Sequence, residues 1–192
     1  ALARVEFLEG DLRDPKAVAR AVSGCEVVYH QAALASVARS VENPVEVTEV
    51  NVMGTLHVLL AARDAKVRRV VFASSSSVYG DTPELPKTET MPTTPRSPYA
   101  ASKAAGESYL SAFQASYGLE TVALRYFNVY GPRQSPKSLY AAAVPRFIDA
   151  MANGRPATIY GDGGQTRDFT YVADVVDALV RASTSVKAPL VG

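Results

Sequence analysis

In the stretch "SPYAASK", residues 97 to 103, Tyr99 and Lys103 stand four apart. A phenol loses its proton only near pH ~10, so it acts as a base at neutral pH only where a cation stabilises the phenolate. One ammonium at about 4 Å, at an effective dielectric of about 20, supplies ~4 kcal/mol. That equals about 3 pKa units at 1.36 kcal/mol each. The pair could thus form a proton acceptor for an alcohol hydroxyl. A tyrosine and a lysine so spaced also occur on solvated helix faces, and the chain has ten tyrosines. Context must decide between the two.

Positioning the pair requires a helix. Ser97 can cap it and Pro98 suits its first turn, so the segment 97–117 is expected to be helical, with Tyr99 and Lys103 on one face. Helices are expected too at 15–22, introduced by Asp14 and Pro15, at 44–65, where Asn43 and Pro44 repeat the device, at 139–153 and at 172–183. Short Val-, Ile- and Phe-rich runs predict strands at 5–10, 26–33, 69–75, 121–128 and 157–161. Strands alternating with helices indicate an α/β fold with a parallel sheet.

Ligands of such folds bind at the carboxyl edge of the sheet. The serine run "ASSSSVYG" (73–80) falls there, where hydroxyls could pass a proton or hold a substrate oxygen, or simply form a turn. "HQAALASV" (30–37) offers small residues that would let a ring or phosphate approach the backbone, or that reflect tight helix packing. Asn51 lies mid-helix, where its side chain either faces water or finds a specific partner.

Composition narrows the classes. Apolar residues are 47%, charged residues 20%, and the net charge is +1, so no broad basic field exists for nucleic acid or an anionic membrane. No wholly apolar run of about 20 residues predicts a membrane span. Cys25 is the single cysteine and there are two histidines, so neither an internal disulfide nor a metal site is expected. These features predict a cytoplasmic, metal-free protein. The texture changes near Gly131, suggesting one region over 1–130 and a second over 131–192.

Taken together, the chain resembles the extended short-chain dehydrogenase/reductase superfamily, and most of all its NAD-dependent sugar-nucleotide 4-epimerases. The motifs are "GDLRD" (10–14), "HQAA" (30–33), "NVMGT" (51–55), "SSSSVYGD" (74–81), "SPYAASK" (97–103), "RYFNVYGP" (125–132) and "GDGGQTRDFTYVADV" (161–175). The resemblance implies a Rossmann-type parallel sheet with helices on both faces and part of a small C-terminal substrate region. It implies that Tyr99 is the base, that Lys103 lowers its pKa and holds the nicotinamide ribose, and that Ser75 is the helper hydroxyl. By the same resemblance Asp11 and Leu12 flank the adenine, and Gln31, Ala32, Ala33 and Ser74 line the cofactor. Asn51 supports that site, and Tyr126 and Phe127 lie near the nicotinamide. On the substrate side Ser76 and Ser77 face the sugar, Asn128 and Arg167 the diphosphate, and Thr158, Ile159 and Tyr160 the uracil. Arg167 suits a phosphate by its forked geometry, or pairs with Asp168 at the surface.

The implied activity inverts C4 of a UDP-hexose, UDP-glucose/UDP-galactose or their N-acetylhexosamine forms, through a transient 4-keto sugar. Related 4,6-dehydratases place Asp and Glu directly after the helper hydroxyl. Here those positions are Ser76 and Ser77, which disfavours dehydration. A UDP-glucuronate 4-epimerase, another enzyme of the group and a non-catalytic dinucleotide sensor are the alternatives. A homodimer through the long helices is the implied assembly.

One departure has physical weight. The family's Gly-rich turn, whose N–H groups hold the pyrophosphate, has no counterpart before residue 11, nor has the acidic residue that selects NAD over its phosphorylated form. The chain is therefore expected to be a fragment starting at about the family's third strand and binding NAD poorly by itself. The strands at 5–10 and 26–33 would either stand open or pair with each other.

Overall fold

The computed structural model describes residues 5–135, 143–159 and 161–186. Two compact units emerge: one runs to Arg125 and is rejoined from Arg181, the other is Tyr126–Val180.

The first unit is built on a sheet of order β1-β2-β3. These strands are Val27–His30, Arg69–Ser75 and Glu120–Tyr126. β1 and β2 are parallel, with Val27 opposite Arg69 and His30 opposite Phe72. β2 is buried at every position but its last, Ser75, as expected of a central strand covered on both faces.

Around it run α1 (Pro15–Val22), α2 (Val37–Glu42), α3 (Pro44–Val47), α4 (Gly54–Asp64) and α5 (Pro98–Tyr117). Asp14 caps α1 by accepting from the Lys16 N–H at 2.9 Å, and Ser97 caps α5 by accepting from the Ala100 N–H at 3.1 Å. α5 ends at Gly118 in the left-handed conformation, φ 69°, where glycine carries no steric penalty. Val58, Leu59, Phe72, Leu110 and Phe113 meet in the core. Leu110 and Phe113 are thus buried within this unit.

Several expectations need correction. Residues 5–10 form no strand, and Val5, Phe7 and Leu8 are exposed. A strand is held by its neighbour's hydrogen bonds, and among the described residues none pairs with 5–10, β1 standing at the end of the sheet order. The 26–33 run shortens accordingly to four residues. Asn43 gives α3 no side-chain cap; its N–H instead closes α2 on the Arg39 carbonyl at 2.8 Å. α2 itself was not expected: Ser36 caps it, accepting from the Arg39 N–H at 3.1 Å. The helix expected at 44–65 is interrupted between α3 and α4 by a π-helical turn, Thr48–Met53. By length and composition alone Pro44–Asp64 could cross a bilayer, yet Val47, Asn51, Thr55, Val58, Leu59 and Ala62 along it are buried inside the unit, as in a core helix.

In the second unit, β4 (Asn128–Tyr130) and β5 (Phe169–Tyr171) pair in parallel. α6 spans Ala143–Ala152 and α7 spans Val172–Thr184. The strand expected at 157–161 is not formed at 157–159; 169–171 takes up the pairing with β4, and Tyr160 lies outside the described residues, as do 139–142 of the expected helix. The end of α7 returns to the first unit, where the Arg69 guanidinium donates to the carbonyls of Ala182 and Ser185, both at 2.7 Å.

Candidate active site

β2 ends where α5 begins, and the two are pressed together. A Cβ on Gly106 would lie 2.6 Å from Phe72 Cζ, a distance that carbon atoms do not tolerate, so only glycine allows this approach. Side chains of one α5 face then reach the end of the strand. The Tyr99 phenol comes near enough to the Ser75 side chain for that hydroxyl to favour its ionised form. Lys103 Nζ donates to the Ala73 carbonyl at 2.7 Å. Glu107 accepts from Ser74 Oγ. Residues i, i+4 and i+8 of a helix share one face, and here they engage three consecutive residues, Ala73 to Ser75.

The electrostatics depart from the simple pairing of phenolate and ammonium. Burial raises the Tyr99 phenol above its ordinary range, and the nearby Ser75 hydroxyl offsets part of this. Lys103 Nζ lies 5.9 Å from the centre of the Tyr99 ring and 4.8 Å from that of Phe72. Burial pulls the lysine down to about 8, which leaves it charged at neutral pH. Further positive charge near the ring would be needed to ionise Tyr99.

The serines divide by role. Ser74 is buried with its hydroxyl committed to Glu107, whereas Ser75, Ser76 and Ser77 are half-buried. Ser75 caps the 3-10 turn Ser76–Tyr79, accepting from the Ser77 N–H at 3.2 Å and the Ser77 hydroxyl at 2.9 Å.

Asn51, left open between water and a partner, is buried. Its side-chain oxygen accepts from the Leu34 N–H at 2.8 Å, and its amide donates to Ser102 Oγ at 3.0 Å and to the Leu34 carbonyl at 3.3 Å. Ser102 Oγ donates in turn to the Tyr99 carbonyl at 2.7 Å. Asn51 therefore ties the small-residue loop after β1 to the first turn of α5. It does so from the π-helical turn, a feature frequent at functional sites.

Beneath lies His30, which the sequence reading passed over. Its Nε2 is 2.9 Å from Thr55 Oγ1, and that hydroxyl donates to the Asn51 carbonyl. A hydroxyl has one proton, so Nε2 carries the hydrogen toward Thr55. Burial, and secondarily the Lys103 charge, pull the imidazole down to about 4. It is neutral at pH 7.

Of the expected cofactor residues, Leu12, Gln31 and Ala32 line one cavity of about 480 Å³ beside β1, and the adjoining Ala33 is half-buried. Asp11 is exposed, held down at about 2 by the Arg13 side chain that forks onto it. The rest of the cavity lining is mostly apolar, with Val18, Val22, Val27, Val28 and Val58, a surface against which a flat ring could lie.

In the second unit Tyr126 and Phe127 are half-buried. Asn128 donates through its backbone N–H and side-chain amide to the Asp168 carbonyl, at 3.2 and 3.1 Å. Thr158, Ile159 and Arg167 line a groove of about 450 Å³ together with Arg146, Phe147 and Gln165. The last three were not foreseen. Arg167 donates to the Thr166 carbonyl at 2.7 Å. An aromatic ring and two guanidinium groups in one groove form a fitting receptor for a base and a phosphate.

Known proteins resemble this chain in sequence and fold. The UDP-glucose 4-epimerase of Mycolicibacterium smegmatis is 46% identical over 181 residues, covering 93% of this chain and 58% of the relative. The Thermus thermophilus UDP-glucose 4-epimerase, solved in complex with NAD, superposes with a TM-score of 0.88 at 47% identity, covering 95% of this chain and 61% of that one. A UDP-N-acetylglucosamine 4-epimerase from Methanobrevibacter ruminantium, in complex with UDP-N-acetylmuramic acid, gives 0.89 at 44%, covering 93% and 57%. The chain thus spans about three fifths of the length of these relatives. Sugar-nucleotide 4,6-dehydratases and a decarboxylase also match. The family model described as "NAD dependent epimerase/dehydratase family" matches residues 1–191, and with the tyrosine, lysine and serine gathered at the end of β2, the chain belongs to that family.

Proposed function

We propose that this chain is the catalytic part of an enzyme that inverts C4 of a UDP-hexose. The observation that carries the reading is the face of α5 set against the end of β2, with Tyr99 beside Ser75 and Lys103, one helical turn on, bonded to the Ala73 carbonyl. Tyr99 Oη accepts the proton of the sugar 4-hydroxyl, in part through Ser75 Oγ, which is within its reach. NAD, when bound, supplies a reversible hydride acceptor for C4, and its oxidised ring adds the positive charge that the buried phenol requires. Lys103, fixed on the Ala73 carbonyl, contributes a second charge and a donor for a ribose hydroxyl. The resulting 4-keto sugar turns over and regains hydrogen on its other face, so no net oxidation occurs.

Ser76 and Ser77 support epimerisation over dehydration, because neither hydroxyl supplies the acid and base needed to expel water from the sugar. The groove bearing Phe147, Arg146 and Arg167 is assigned to the nucleotide half of the substrate. The 192 residues alone are expected to hold NAD weakly, since they include no Gly-rich turn before residue 11.

Tyr99→Phe tests the assignment in the protein that carries this chain. Interconversion of UDP-glucose and UDP-galactose should fall by about 10²–10⁴-fold, the usual worth of a positioned base. Unchanged turnover would remove Tyr99 from the mechanism.

A further inference from the structure

Behind the serine turn lies a buried ion pair for which the reaction above has no use. Glu107 and Arg125 are 8% and 6% exposed in their side chains. Arg125 forks onto the carboxylate, Nε to Oε1 at 2.9 Å and Nη2 to Oε2 at 2.7 Å. Glu107 Oε1 also accepts from Ser74 Oγ. The Arg125 guanidinium lies 4.7 Å from the centre of the Tyr79 ring, and its Nη1 reaches the Glu89 carbonyl at 3.4 Å.

These contacts share a geometry. Ser74 immediately precedes the segment that holds Ser75, Ser76 and Ser77, and Tyr79 closes it. One ion pair therefore grips the turn at both ends. Glu107 also sits on the same α5 face as Tyr99 and Lys103, so the grip is referred to the helix that carries the phenol.

A buried ion pair is a poor device for stability alone, since apolar residues of similar volume often serve as well. What a forked guanidinium supplies is direction. It fixes two hydrogen bonds in its plane and an aromatic ring against its face, which a pair of leucines could not do.

We propose that Glu107 and Arg125 are positioning residues that set the reach of the Ser75 hydroxyl to Tyr99. The significance of that reach rests on the reading of Tyr99 as the proton acceptor, but the reach itself can be measured without turnover. Loss of the pair's hold lets the turn relax, the Ser75 hydroxyl draws away from the phenolate, and Tyr99 becomes harder to ionise.

Difluorotyrosine placed at position 99 alone brings the phenol's titration into the range where the protein is folded, and fluorine NMR reads its midpoint. Ser74→Ala removes only the hydroxyl that links Glu107 to the strand and leaves the fork intact. It should raise the midpoint by about half a unit, and Arg125→Lys, which keeps the charge but loses fork and stack, by about one unit. In the active protein kcat should fall with KM little changed. An unmoved midpoint in folded Ser74→Ala overturns the proposal, whatever Arg125→Lys does. Failure of the epimerase reading would show separately, as unchanged turnover in Tyr99→Phe.

Discussion

The seam between α5 and β2 and the groove beside α6 hold their polar groups in opposite ways. In the seam Ser74, Lys103, Glu107 and Asn51 are all buried, and each is committed to named partners within a few ångströms. In the groove Thr158, Gln165 and Arg167 stand exposed, on a stretch turned by Gly161 and Gly163 at φ 71° and 76°. Groups that must transfer a proton need fixed distances, because small misplacements are costly in rate. Groups that grip a charged ligand can complete their geometry when it arrives. Stability should therefore depend on the seam, and affinity on the groove.

Removing one member of the buried pair tests the first half most severely. Glu107→Ala leaves Arg125 charged, buried and without its carboxylate, so urea unfolding should show a loss of about 3–5 kcal/mol. A loss under about 1 kcal/mol would mean that the seam is no more cooperative than the surface.

His30, packed 5.5 Å from the Phe72 ring in the same seam, adds a pH dependence. Its folded value is about 4 against an ordinary 6.5. Between those limits the unfolded chain binds a proton that the folded one refuses, so stability falls as the pH drops from 6.5 toward 4, by about 3 kcal/mol in all. His30→Gln, which retains a donor for Thr55, should flatten that limb of the urea-midpoint profile. An unaltered limb would assign it to other groups.

The smallest effect on stability belongs to the groove. Arg167→Ala should shift the unfolding free energy by no more than about 0.5 kcal/mol. Its effect should appear in calorimetry of UDP, as roughly tenfold weaker binding from one lost charge-assisted contact. A large stability change there would erase the contrast between the two regions.

What could be read from the sequence follows the same division. Local signals sufficed where local physics decides: Asp14 and Ser97 cap helices within a residue of the expected start, and Tyr99 and Lys103 share a face because a helix has a fixed period. The strand at 5–10 failed because a strand is defined by its neighbour. The strand at 157–161 failed for the same reason, as 169–171 supplied the partner that β4 pairs with. Glu107 could have been found by extending the four-residue spacing of Tyr99 and Lys103 by one more step. Arg125, Phe147 and His30 could not, since their significance lies in contacts across 18 or more positions or in a groove assembled from separate segments.

Gly106 sets the distance between the helix that bears the phenol and lysine and the strand that bears the serines. One added carbon there would meet the Phe72 ring at 2.6 Å and wedge the two elements apart, lengthening three side-chain bridges at once. The gap between phenol and serines is thus calibrated by an atom that the chain omits.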